Sequence, residues 1–332
     1  MNKKNEKETK KIDIKRVVSW AGTLLMLISF GFIGQRFMNY GIDFSLLYSP
    51  AVVIGLLAVA AGEGIAMIGT SLNFRALVRN VTGITVAHPV AIIPYLQSNL
   101  YKYIPGGVMY VAGRHKMVLE TKGLSHGKLV FCTVLEGVII AIGALIVAFV
   151  LSFEFTTTYI LNLGDNEILP FILLAVGVIL LVGVIPMVIF WNKISAAWQR
   201  FKENAEILKL SVIVTRFGVA ILLMSLWGST FMIVLLLLGQ PLSPQLAITI
   251  IGLYLLAWLA GFITPGAPSG FGIREAVMMM FLTGLVYYEI LLAALLMHRV
   301  VVMIGDIFAY GLGWTYVKIT SSAMMERSKS YD

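Results

Sequence analysis

Apolar residues in this chain run continuously for membrane-length stretches, without the alternation of β-barrel strands. Predominantly apolar runs cover 17–38, 51–72, 128–151, 168–191, 212–238 and 289–316. About 20 such residues cross the hydrocarbon of a bilayer, so each run predicts a crossing helix. Two further regions, 86–116 and 245–286, are apolar but interrupted. The first breaks at Tyr103-Ile104-Pro105-Gly106-Gly107, the second at Phe262-Ile263-Thr264-Pro265-Gly266. Pro-Gly removes a donor and stops a regular helix. In lipid the freed backbone groups need protein or a water-filled cavity to satisfy them.

The breaks have counterpart surroundings. They lie 160 residues apart, and an arginine follows nine residues after each proline, at Arg114 and Arg274. The runs starting at 51 and 212 and at 128 and 289 keep nearly the same offset, and those starting at 17 and 168 a shorter one. This predicts an all-α polytopic membrane protein built as an inverted repeat of two halves, 17–151 and 168–316. Each half holds about three crossing helices plus a broken re-entrant hairpin. Whether 245–286 is a shallow hairpin or two full crossings is open, because both return the chain to one side.

Charge gives an independent orientation. Positive residues concentrate on the cytoplasmic side of membrane proteins. Seven Lys/Arg lie in the leader 1–16, and more at Arg75, Arg79, 114–128, 193–216 and in the tail 317–332. The opposite loops carry Asp43, Glu154, Asp165, Glu167 and Glu289, with Arg36 the main exception. Both termini are therefore expected in the cytoplasm, with the chain in the cell membrane. The run after the leader exceeds a signal-peptide core and lacks a small-x-small cleavage site, so it reads as a retained helix. Within the second half, 193–210 has apolar positions at spacings of three and four. It predicts a cytoplasmic amphipathic linker helix, either lying on lipid or packed under the bundle.

Composition supports this class. The mean hydropathy is +0.90 and only 13% of residues are charged, where soluble chains carry about a quarter. The single cysteine, Cys132, forbids an intrachain disulfide. His88, His115, His126 and His298 show no paired ligand spacing, so no metal or other cofactor is expected. Nucleic acid is not an expected partner.

The candidate chemistry gathers at the breaks. Lys102 and Tyr103 precede Pro105, Gly106 and Gly107, and Arg114 follows. A helix restarting after the glycines offers free N–H groups, which suit an anion, and arginine grips phosphate bidentately. The alternative is a plain helix end, with Lys102 and Arg114 snorkelling to headgroups. At the second break Pro265, Gly266, Gly270 and Gly272 lead into Arg274 and Glu275. A charge at membrane depth costs ~2.5–3.5 kcal/mol on insertion scales, so it faces protein or a cavity. Arg274 either meets substrate or pairs with an acid. Glu136, Arg299 and Asp306 are candidates for coupling or counter-charge, with Asp306 placed to neutralise Arg299 or Arg274. Glu63 sits in a glycine-rich helix, where close helix packing explains its surroundings better.

These motifs carry a resemblance. Leu100-Tyr101-Lys102-Tyr103-Ile104-Pro105-Gly106-Gly107, continuing to Gly113-Arg114, resembles a signature of the flippase-like membrane family. That family includes the transmembrane flippase domain of lysylphosphatidylglycerol synthases. Pro265-Gly266 with Gly270-Phe271-Gly272-Ile273-Arg274-Glu275-Ala276 resembles its second signature, although Ala267-Pro268-Ser269 interrupts the glycine run. The resemblance implies a flippase moving an anionic phospholipid, an aminoacyl-phospholipid or a polyprenyl-phosphate-linked lipid between leaflets. Arg114 and Arg274 would contact phosphate, and the glycines would give backbone access. Membrane lipids are the implied partners, with a separate lipid synthase or glycosyltransferase and a homo-oligomer left open.

The synthases' aminoacyl-transfer domain has no counterpart in the 16 residues after Tyr316, and no Asp-x-Asp motif or nucleophile beside a base is present. The expectation is therefore a non-enzyme. The alternatives are a membrane-embedded, lysylphosphatidylglycerol synthase-like lipid transferase, or a non-transporting partner of a synthase. The orientation is testable in a Cys132→Ser background. Asp43→Cys and Glu154→Cys should react with an impermeant thiol reagent outside intact cells. Arg79→Cys and Lys122→Cys should react only after lysis; the reverse pattern overturns the orientation.

Overall fold

The computed structural model describes residues 49–103, 113–161, 210–264 and 268–329. The leader, the runs 17–38 and 168–191, the linker 193–210 and the acidic positions Asp43, Asp165 and Glu167 lie outside the described residues. So do Arg36, Pro105, Gly106, Gly107, Pro265 and Gly266.

The described residues form eight α-helices and no strands. They are α1 (Pro50–Thr82), α2 (His88–Leu100), α3 (Lys116–Glu120), α4 (His126–Leu161), α5 (Leu210–Leu237), α6 (Pro244–Ile263), α7 (Ile273–Leu282) and α8 (Tyr288–Lys329). Local sequence sets several of their ends. Proline stands in the first turn of α1, α2 and α6, where its missing N–H would have had no intrahelical partner. Ser243 caps α6 by accepting from Leu246 N at 3.2 Å. Thr264, the residue before Pro265, leaves the helical region and ends α6. α1 extends past its apolar run through Asn73, Arg75 and Arg79, and stops where Gly83 N donates to Arg79 O. α8 likewise continues without a break beyond residue 316, as far as Lys329.

Five helices, α1, α4, α5, α6 and α8, are long and apolar enough to cross a membrane. α2 and α7 are not: with 13 and 10 residues they extend about 20 Å and 15 Å, short of a hydrocarbon core about 30 Å thick. The region 245–286 is thus one helix of crossing length followed by one of half that length. The side-chain distribution is that of a lipid-embedded bundle. On α4, Val130, Val134, Val138, Leu145 and Phe149 form an exposed apolar stripe. The buried set includes Glu63, Arg114, Glu136, Glu275, His298 and Asp306. Large exposed apolar faces of this kind need a membrane or a partner to cover them.

Two apolar cores hold the helices. One joins the first part of α1 to α4, α5, α6, α7 and α8 through residues such as Phe231, Leu253 and Leu291. The other joins the rest of α1 to α2, α3 and α4 around Phe74, Leu96 and Met117. α1 and α8 approach closely because glycines face each other. A Cβ on Gly305 would lie 2.8 Å from Ala60 O, and one on Gly64 would lie 2.8 Å from Gly305 O. Small residues at a crossing let helix backbones meet where lipid supplies no hydrophobic drive. The close packing expected around Glu63 is therefore present at its neighbour, Gly64. Gly305→Val should destabilise the protein in detergent by ~1–3 kcal/mol through overpacking against backbone. Gly62→Ala, whose added Cβ would meet nothing within 4 Å, should be neutral or slightly stabilising. Equal melting temperatures for the two variants would contradict the crossing.

Candidate functional site: a buried ionic cluster around a small cavity

Arg114 sits in the turn before α3, where Gly113 lets the chain pass against α2. A Cβ on Gly113 would fall 2.7 Å from Ser98 Cβ. The guanidinium is 1% exposed and lies between two rings, 4.4 Å from the Phe74 centroid and 4.2 Å from that of Tyr95. Its Nη1 donates to Glu136 Oε2 at 2.6 Å, and Tyr95 Oη donates to Glu136 Oε1 at 2.7 Å. A charge so enclosed is stabilised by its pair and by the ring faces. Snorkelling to headgroups is thereby corrected, since the guanidinium points into protein.

The residues before the first break bind α8. Asp306 accepts from Asn99 Nδ2 at 2.6 Å and from Tyr103 Oη at 2.5 Å. Lys102 Nζ lies 2.8 Å from Asp306 Oδ2. Spacing placed Arg299 and Asp306 on one helix face. Asp306 nevertheless takes Lys102, because the turn Tyr101–Tyr103 delivers an ammonium directly onto it. The expectation that Asp306 neutralises Arg299 or Arg274 is corrected accordingly.

Arg299 closes the second break instead. Its Nε donates to Glu275 Oε1 at 2.6 Å, Nη1 to Ser269 O at 3.0 Å and Nη2 to Gly270 O at 3.3 Å. Glu275 Oε2 accepts from Gly272 N at 2.8 Å, reaching back three residues to cap α7. Three backbone groups of the described loop, Ser269 O, Gly270 O and Gly272 N, are thus taken by one arginine and one glutamate. The loop needs left-handed backbone at Gly270 (φ 68°) and Gly272 (φ 82°), conformations that a Cβ disfavours.

Arg274 is placed differently. It is seated against Gly261 and Gly270, where added Cβ atoms would lie 2.9 Å from its Cγ and its Nε respectively. Its guanidinium is 5.8 Å from the Trp258 ring centroid. Among the described residues it has no hydrogen-bond or ion-pair partner, and its Nε is buried without one. An unpartnered buried donor is costly, so it calls for water or a ligand. Arg274 lines a cavity of about 20 Å³ together with Tyr103, Tyr254, Glu275, His298 and Arg299. That volume is enough for a water.

Next to the cavity, Glu63, Thr230 and His298 meet. Thr230 Oγ1 lies 2.7 Å from Glu63 Oε1 and 2.9 Å from His298 Nε2. The ring of His298 is edge-on to Phe231 and Tyr254. Thr230 carried no signal in the sequence. His298 did, as an ionisable neighbour of Arg299 in an apolar run. The fold therefore brings Lys102, Tyr103, Gly270, Arg274, Glu275, Arg299 and Asp306 toward one region, and puts Arg114 and Glu136 in a separate pair. Among the described residues no three His, Cys, Asp or Glu side chains are grouped to hold a metal ion.

No family profile matches the chain, and comparison with curated proteins gives no significant match.

The Arg114–Glu136 pair has a stability consequence. Glu136→Gln strands a buried guanidinium and should cost ~3–5 kcal/mol. The double variant Arg114→Met with Glu136→Leu should lose much less. Denaturant unfolding in micelles measures both, and an unaffected Glu136→Gln protein would refute the pairing.

Proposed function

We propose that the chain moves an anionic lipid between leaflets, with the phosphate received by Arg274. The observation that carries this reading is a buried arginine with no protein partner among the described residues, beside a cavity inside an apolar bundle. The other cations near it, both partly exposed, have carboxylates: Arg299 has Glu275, and Lys102 has Asp306. A guanidinium left with free donors suits a phosphate oxygen. Arg114, enclosed by Glu136 and two rings, serves the scaffold in this reading and makes no phosphate contact.

The cavity accepts a water and is too small for a headgroup. Substrate access therefore needs α6 and α7 to separate at the break, with the acyl chains left in lipid. The described elements fit an inverted repeat with re-entrant segments. Helices begin at Pro50 and Leu210, at His88 and Pro244, at Lys116 and Ile273, and at His126 and Tyr288. In each set a crossing-length helix comes first and another last, with a short helix after the break; the helix before the break has 13 residues in the first set (α2) and 20 in the second (α6). The similarity of both break motifs to those of the flippase-like family points the same way, and the charge pattern supports a cell-membrane protein with both termini on the cytoplasmic side. The chain acts here as a transporter without bond chemistry; transfer of an amino acid from charged tRNA to lipid by the purified protein would overturn that.

Proteoliposomes holding headgroup-labelled phosphatidylglycerol test the reading. Arg274→Gln should slow translocation about tenfold or more, the expected loss for a charge-assisted hydrogen bond worth ~1.5–3 kcal/mol. A wild-type rate in that variant would remove Arg274 from the mechanism.

A further inference from the structure

Four carboxylates are buried among the described residues: Glu63, Glu136, Glu275 and Asp306. Three are surrounded by donors that include a permanent or strongly basic cation. Glu136 takes Arg114 and Tyr95, and Glu275 takes Arg299 and Gly272 N. Asp306 takes Lys102, Asn99 and Tyr103. A proton added to any of these would displace a hydrogen bond and leave a buried or partly buried cation without its counter-charge, which is unfavourable.

Glu63 differs. Its hydrogen-bond partner is the Thr230 hydroxyl, and its nearest ionisable group is an imidazole, with His298 Nε2 3.7 Å from Glu63 Oε1. Counting protons shows why this matters. With Glu63 ionised, Thr230 donates to Glu63 Oε1 and accepts from His298 Nε2–H. With Glu63 protonated, the carboxyl donates to Thr230 Oγ1, and the hydroxyl turns to Trp227 O, 2.7 Å away, or to His298 Nε2. A hydroxyl can be donor and acceptor at once, and imidazole can present either role. Each state keeps every polar atom of the three side chains' contact partnered. His298 also lines the cavity beside Arg274, which has room for a water next to the site.

We infer that Glu63, Thr230 and His298 form a proton-binding site whose occupancy is linked to anion binding at Arg274. Other charged or titratable groups face it from each neighbouring element. Tyr254 comes from α6, Arg274 and Glu275 from α7, Arg299 and Asp306 from α8, and Lys102 and Tyr103 from the turn after α2. α5 contributes Thr230 and the Phe231 ring. Glu275 offsets Arg299 and Asp306 offsets Lys102, so Arg274 supplies the uncompensated positive charge. An anion at Arg274 cancels that charge, so anion and proton each favour the other's binding. The proton site stands on its own geometry; the linkage rests on the proposed anion reading.

Infrared difference spectra of the full chain in vesicles, taken between about pH 5 and pH 8, read the site directly. A protonated-carboxyl band should appear at the acid end, vanish in Glu63→Gln and shift in Thr230→Val. In phosphatidylglycerol vesicles its midpoint should lie above that in phosphatidylcholine, and Arg274→Gln should remove the part exceeding the surface-pH effect. An imposed pH gradient should change the rate of labelled phosphatidylglycerol movement at least about threefold in the wild type, and not in Glu63→Gln. A band that survives Glu63→Gln overturns the proton site even if lipid moves. A Glu63-dependent band in a protein that moves no lipid supports the site and defeats the transport reading. Lipid movement indifferent to the gradient, or a midpoint indifferent to Arg274→Gln, overturns the linkage.

Discussion

A charge inside an apolar bundle must find a partner there, and most of this architecture follows from where the partners come from. Glu275 and Asp306 are each engaged by a cation from another element: Arg299 of α8, and Lys102 beside the first break. α8 contributes one residue to each of these pairs. It therefore ties the sequence before the first break to the sequence after the second. Without that constraint the loop before α7 loses its anchor, because Arg299 itself bonds Ser269 O and Gly270 O.

Close packing makes these pairs reachable. Gly305 and Gly64 bring α8 onto α1 at backbone contact, which sets the depth at which His298 meets Glu63 and Thr230. Gly261 and Gly270 do the same for Arg274 between α6 and the loop before α7. The glycines therefore act mainly by permitting approach. At Gly270 the same residue also supplies a left-handed backbone, so packing and chain reversal coincide at one position.

The two breaks share a motif and treat their arginines in different ways. Arg114 is held between Phe74 and Tyr95 and neutralised by Glu136, a rigid arrangement that suits a scaffold. Arg274 keeps an unpartnered Nε beside a cavity. Sequence spacing treats them alike because both follow nine residues after a proline. Their difference comes from neighbours 22 residues downstream in one case and from glycines in the other.

By itself the sequence determined the helical class, the starts of the four crossing-length runs among the described residues to within about two positions, and the stop of α6 before Pro265, while α1, α4 and α8 run 10 to 13 residues past their apolar stretches. These properties are local: mean hydropathy over a window, proline's missing donor, and glycine's tolerance of left-handed backbone. It also identified the ionisable residues that had to be explained, since charge within an apolar run is conspicuous. Tertiary structure alone decided who pairs with whom. Asp306 takes Lys102 across more than two hundred residues in place of Arg299 one heptad away, and Thr230, silent in the sequence, becomes the link between Glu63 and His298. Pairing depends on which side chains arrive at one point with their donors and acceptors matched, and that is fixed by helix crossings, which no window of sequence contains.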